Sequence, residues 1–144
     1  MTHTRLSDND IEAIAKGVID RTLPKANWTH AAHFSAALWL FRAPGIDPFT
    51  DMPSLIRAYN EATNTPNTDT EGYHETITLA SLKAAQHALS EAAPEASLSA
   101  ILARMLSGAY GRSDWLFTYW SRETLFSVEA RRSWLPPDLA DLPF

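Results

Sequence analysis

Residues 28–33, Trp28-Thr29-His30-Ala31-Ala32-His33, are predicted to open a helix. When each residue is advanced by about 100° around a helix, the apolar side chains that follow share one face: Phe34, Ala37, Leu38 and Phe41. His30 falls near the centre of that face, and His33 falls towards its edge. The stretch therefore predicts a helix, ending at Arg42, whose buried face carries two histidines in its first turn.

A second segment, Gly72-Tyr73-His74-Glu75-Thr76-Ile77-Thr78, opens another helix of this kind. The same projection over residues 73–90 places the apolar residues on one arc: Ile77, Leu82, Ala85, Ala88 and Leu89. His74 lies near the middle of this arc, and Glu75 lies at its rim. Together the two segments hold three of the five histidines, and all three are predicted to point inward.

Length and composition fit one globular domain over residues 1–144. The chain has 144 residues, of which 45% are hydrophobic and 20% charged, which suits a sizeable core. It has no cysteine, so disulfides, thiolate metal ligands and cysteine nucleophiles are excluded. A formal net charge of −5 argues against a nucleic-acid partner, because phosphate binding needs a concentrated basic face.

The apolar residues are not arranged for a membrane. There is no run of about 18 apolar residues, as a bilayer-spanning helix requires. The polar start, residues 1–5, lacks the apolar core of a secretory signal. We therefore expect a cytoplasmic protein without a membrane partner.

Cap residues and helix breakers divide the chain into helices, with almost no strand. Ser7 and Asn27 are predicted caps for the first two helices, and a loop through Pro48 and Pro53 precedes a third helix capped by Ser54. The predicted helices are residues 8–22, 28–42, 55–64, 73–91, 97–109 and 128–134. The expected fold is all-α, an up-down bundle of four main helices with additional short C-terminal helices.

The C-terminal part of the chain is rich in aromatic residues: Trp115, Phe117, Tyr119, Trp120, Phe126 and Trp134. These residues are predicted to form a satellite of the core, and a homodimer interface is the main alternative, because aromatic residues are enriched at interfaces. Residues 138–144 are predicted to lie over the bundle as an apolar strap.

The bundle topology predicts that the three histidines meet. Successive helices of an up-down bundle are antiparallel, so the second and fourth helices begin at the same end. His30 and His33 are three residues apart and therefore neighbours on one helix surface, and His74 would supply a third nitrogen from across the bundle. Helix N-termini and burial favour the neutral imidazole that binds metals. We therefore predict a divalent metal (zinc, iron or manganese) held by His30, His33 and His74, with Glu75 as fourth ligand or general base.

Two other interpretations fit the same residues. In the first, a metal-free pocket binds a small polar or anionic molecule, with helix N-termini and histidines as donors, and the polar loop 60–70 forms its rim. In the second, the histidines are structural and the aromatic C-terminal surface makes the protein a homo-oligomeric interaction module. The sequence does not decide whether the protein is an enzyme; a bound metal would allow hydrolytic or oxygen chemistry.

Four segments, residues 28–33, 56–60, 72–78 and 125–131, resemble the signature blocks of a family of small all-α bacterial proteins of unknown function. That resemblance covers most of the chain and implies no activity. The predicted site is also similar to that of the DinB/YfiT-like metal-binding bundles, which use three histidines on a four-helix scaffold. That family pairs its histidines later in the chain and at wider spacing, so the similarity concerns the architecture.

Overall fold

Helices make up the regular structure of residues 5–144, the part of the chain that this computed structural model describes. In chain order they are α1 Asp8–Ile19, α2 His30–Arg42, α3 Pro48–Ala62, α4 Glu75–Glu91, α5 Leu98–Ser107, α6 Arg122–Leu125 and α7 Val128–Arg132. Short 3-10 turns lie at Lys25–Asn27, Ala109–Gly111 and Ser113–Thr118. Residues 5–144 contain no strand, which confirms the predicted all-α bundle.

Helix α2 lies at the centre of the bundle. It packs against α1, α3, α4 and α5, and its side chains are buried on most sides: Ala32, Phe34, Ser35, Ala36, Ala37, Leu38 and Leu40. The one hydroxyl in this set, that of Ser35, donates to the carbonyl of Ala31 at 2.8 Å, so no polar hydrogen is buried without an acceptor. A helix that is apolar on most sides belongs in the interior, and the stretch that opens with His30 therefore organises the fold.

Helix α1 begins directly after Ser7, its predicted cap. Ser7 and Asp10 form a reciprocal capping box: Asp10 N donates to Ser7 Oγ at 3.1 Å, and Ser7 N donates to Asp10 Oδ2 at 2.9 Å. The prediction that Asn27 caps α2 is wrong, because residues 25–27 form a 3-10 turn and Thr29 is the cap, accepting from Ala32 N at 3.2 Å. Helix α2 therefore begins at His30.

Helix α3 begins earlier than its prolines suggested. The predicted loop through Pro48 and Pro53 and the predicted cap at Ser54 are wrong, because Asp47 caps the helix by accepting from Phe49 N at 3.2 Å. Pro48 occupies the first helical position, where a missing N–H costs no intrahelical bond. Pro53 lies inside the helix and removes one such bond, and it is buried in the fold.

The C-terminal segment closes over the bundle. Trp120 is 0% exposed, and its Nε1 donates to the carbonyl of Leu135 at 2.9 Å. Farther along, Leu139 N donates to the carbonyl of Tyr119 at 2.9 Å, and Leu142 and Phe144 pack against the core. These contacts confirm the predicted strap and place Trp120 in the core; the homodimer stays a prediction.

No helix within the described part of the chain combines the length and the apolar character that a bilayer crossing requires.

Candidate functional site

A cavity of about 390 Å³ lies between α2, α3 and α4. The apolar part of its wall comes from Ala37, Met52, Ile56, Ile77 and Leu82, and the polar part includes His33, Asn60, Thr65, Thr78 and Ser81. Trp28 and Tyr73, which precede α2 and α4, complete the lining together with His74. This volume is within the range of small-molecule sites, and an apolar wall with a few polar groups is their usual composition.

His33 presents a defined acceptor at this cavity. Its Nδ1 lies 2.7 Å from the carbonyl of Thr29; because a carbonyl only accepts, Nδ1 carries the hydrogen and Nε2 carries the lone pair. The ring stacks on Trp28 with the centroids 3.7 Å apart and the planes 28° from parallel. Nε2 has no hydrogen-bond partner among residues 5–144.

The surroundings of His33 keep it neutral. Burial lowers the pKa of His33 from 6.5 to about 4; the bond to the Thr29 carbonyl opposes this change, and the neighbouring His30 adds to it. The imidazole is therefore uncharged at pH 7. A neutral imidazole accepts a hydrogen bond or binds a metal through its unprotonated nitrogen.

His74 uses both of its ring nitrogens within the protein. Nδ1 accepts from Ile77 N at 3.2 Å, so the imidazole caps α4, and Nε2 lies 2.6 Å from the carbonyl of Leu125, to which it donates. The side chain is 7% exposed, and burial lowers the pKa of His74, an effect that the bond to Leu125 opposes and the charge of Arg131 reinforces. With neither nitrogen free, His74 in this arrangement holds α4 against α6 and contributes wall rather than a ligand atom.

His30 points to a different part of the protein. Its Nε2 lies 2.7 Å from the carbonyl of Tyr110, and its ring meets Phe34 edge-on with the centroids 5.2 Å apart. It lines a separate hollow of about 540 Å³ next to α5, together with Ser99 and Leu102. His30 and His33 are three residues apart, and a step of three residues turns a helix by about 300°. Their side chains therefore differ in direction by about 60°, so His30 lines the hollow next to α5 and His33 lines the cavity between α2, α3 and α4.

The predicted triad is therefore divided: His33 and His74 share one cavity, and His30 lies outside it. Within residues 5–144, no group of three or more His, Asp or Glu side chains is arranged to hold a metal ion. The bound divalent metal stays a prediction.

Glu75 does not line the cavity. Its Oε1 accepts from the hydroxyl of Tyr73, and the guanidinium of Arg57 lies 4.3 Å from the centroid of the Tyr73 ring. Burial, followed by the bond to Glu75, raises the pKa of the Tyr73 hydroxyl. Glu75 thus holds Tyr73 in place. No contact of Glu75 supports its predicted role as a general base or as a metal ligand.

The polar loop after α3 forms one rim of the cavity through Thr63 and Thr65, the place that the metal-free interpretation of the sequence gave to this loop. Asn67 holds the loop together: its Oδ1 accepts from Asn60 Nδ2 and from Tyr73 N, both at 3.0 Å, and its Nδ2 donates to the carbonyl of Arg57 at 3.1 Å. Gly72 closes the loop with a φ of +82°. The density of Asn and Thr between residues 60 and 70 was the sequence signal for this rim.

Two further residues contribute to the site: Thr65, which belongs to the predicted rim loop, and Lys25, which the sequence did not single out. Thr65 lines the cavity, and its Oγ1 is buried without a hydrogen-bond partner in the described part of the chain. Lys25 is exposed and is the one lining residue with a full charge at pH 7. The interior of the cavity is thus polar in places but uncharged.

Neither a family model nor a characterised protein nor a solved structure matches this chain.

Proposed function

We propose that the protein binds a small, uncharged and largely apolar organic molecule in the cavity between α2, α3 and α4. The observation that carries this proposal is a cavity of about 390 Å³ whose wall includes His33, a ring with one nitrogen unpaired within residues 5–144. Pockets of this size with an apolar wall and a few convergent polar groups are the usual sites of small ligands.

The charge of the lining argues for an uncharged ligand. Burying an ionised group costs several kcal/mol unless it is paired, and the histidines of the wall are neutral because burial lowers the pKa of both His33 and His74. Lys25, the charged lining residue, is exposed. An anion would therefore find its partner at the surface and not in the interior.

A cavity-filling substitution tests the proposal. Ser81 lies on the cavity wall in α4, so Ser81→Phe should fill the space and abolish binding of toluene and phenol, measured by ligand-observed NMR. Ser90, on the exposed side of the same helix, provides the matched control Ser90→Phe, which should bind both probes as the wild type does. Absence of binding of either probe to the wild-type protein, or unchanged binding by Ser81→Phe, would refute the proposal.

A further inference from the structure

We infer that the ligand of this cavity carries a hydrogen-bond donor, a hydroxyl or an N–H group on an apolar body, and that it donates to Nε2 of His33. This inference rests on the proposed function and specifies the class of ligand that the cavity selects.

The acceptor is held in place before the ligand arrives. The bond from Nδ1 to the Thr29 carbonyl at 2.7 Å orients the edge of the ring, and stacking on Trp28 at 3.7 Å orients its face. Trp28 is itself packed edge-on against Tyr59, with the centroids 5.6 Å apart. A group that is already oriented loses little conformational freedom on binding, so more of the hydrogen-bond energy appears as affinity.

Two donors near the cavity are already engaged in the protein. The hydroxyl of Tyr59 donates to the carbonyl of Leu23 at 2.7 Å, and the Nε2 of His74 donates to that of Leu125 at 2.6 Å. The Nε2 of His33 is by contrast an acceptor without a donor among residues 5–144. The cavity therefore offers a fixed acceptor next to two donors that are already used, and hydroxyl groups of its wall, such as that of Ser81, can serve in either role.

Because the His33 ring is neutral, its Nε2 favours a ligand that donates a hydrogen bond over a ligand that accepts one. Because burial holds its pKa at about 4, the ring does not donate from Nε2 at pH 7. A carboxylate or an ether oxygen at this place would set one lone pair against another, whereas an alcohol, a phenol or an amide N–H would complete the bond. The remaining wall, with Ile56, Ile77 and Leu82, suits the apolar body of such a molecule.

Phenol, anisole and toluene form a probe series that separates the hydrogen bond from the apolar contact. Anisole carries the same ring and oxygen as phenol but has no donor, and toluene has neither. A net hydrogen bond is worth about 1 kcal/mol, so phenol should bind about fivefold more tightly than anisole to the wild-type protein, measured by isothermal titration calorimetry at pH 7. In His33→Phe, which keeps an aromatic ring beside Trp28, phenol and anisole should bind equally.

A second measurement does not depend on any variant. In protein labelled with ¹⁵N in its histidines, phenol should shift the Nε2 resonance of His33 and leave that of His30 unchanged, because the latter nitrogen is bonded to Tyr110 in a separate hollow.

The outcomes distinguish the inference from the proposed function. If all three probes bind the wild type with equal affinity and do not bind Ser81→Phe, the cavity binds ligands but the inference is overturned. A preference for phenol that persists in His33→Phe, or a His33 resonance that does not move, also overturns it. If no probe binds, the proposed function itself fails.

Discussion

The dependence of stability on pH tests whether burial lowers the pKa of His33 in the folded protein. In the folded protein burial lowers the pKa of His33 to about 4, against 6.5 for the free side chain. Between these two values the unfolded chain holds a proton on this ring that the folded protein does not. The contribution of His33 to the free energy of unfolding must therefore fall as the pH is lowered through 6.5 and stop falling below about 4, because the unfolded state binds one more proton on this ring in that interval.

The magnitude follows from the two pKa values. Each pKa unit corresponds to about 1.36 kcal/mol, so the full contribution of His33 is about 3 kcal/mol, of which about 2 kcal/mol is lost between pH 7 and pH 4.5. His74 changes stability in the same direction, since burial lowers its pKa too. The contribution of His33 is therefore the difference between the wild type and His33→Phe, in which His74 still titrates.

Urea unfolding of both proteins at pH 7, 6, 5 and 4.5 measures this difference. We expect the wild type to lose about 2 kcal/mol more than His33→Phe over this range. Parallel pH profiles for the two proteins would refute the reasoning, because they would mean that the His33 ring takes up its proton as readily in the folded state as in the unfolded state.

Two further predictions concern the frame of the site. Gly72→Ala should destabilise the protein by at least about 1 kcal/mol more than Gly45→Ala, measured by thermal unfolding. Both glycines have a positive φ, of +82° and +75°, which costs an L-residue about 1–2 kcal/mol at either position. Only at Gly72 would the new Cβ also clash, because it would lie 2.1 Å from the carbonyl oxygen of Pro66. Equal losses for the two variants would contradict this assignment. His30→Leu should lower the free energy of unfolding by about 1 kcal/mol, because the bond to Tyr110 is lost, and it should leave the affinity for phenol unchanged. A loss of phenol binding would contradict the placement of His30 outside the cavity.

The prediction of α3 failed for a physical reason. Asp47 and Pro48 are a good local start signal, since a side-chain cap and a proline at the first helical position are both favourable. Pro53 pointed the other way, because an interior proline removes a backbone hydrogen bond. Its ring is buried in the fold, and that contact cannot be read from the neighbouring sequence.

The composition of the aromatic C-terminal segment predicts that its rings cluster, but it does not predict which of them are buried. Their number predicts apolar packing, and Trp115 and Trp120 are indeed buried. Phe126, which the same pattern includes, is 50% exposed and lies beside Arg122, whose guanidinium is 5.6 Å from the centroid of its ring. Composition therefore predicts that such a cluster forms, but the place of each ring depends on the path of the chain.

What the sequence by itself determines here is local. The cap at Ser7 depends on Asp10, three residues away, and the buried character of α2 depends on its own apolar side chains, so spacing and residue type are sufficient. Tertiary structure alone decides what each histidine does. The carbonyl that engages His30 is 80 residues away in the chain and the one that engages His74 is 51 residues away, whereas His33 bonds to Thr29, the cap of its own helix, and keeps one nitrogen unpaired among residues 5–144. Helical periodicity places three imidazoles on inward faces, but it contains no information about which distant backbone carbonyl each of them will meet.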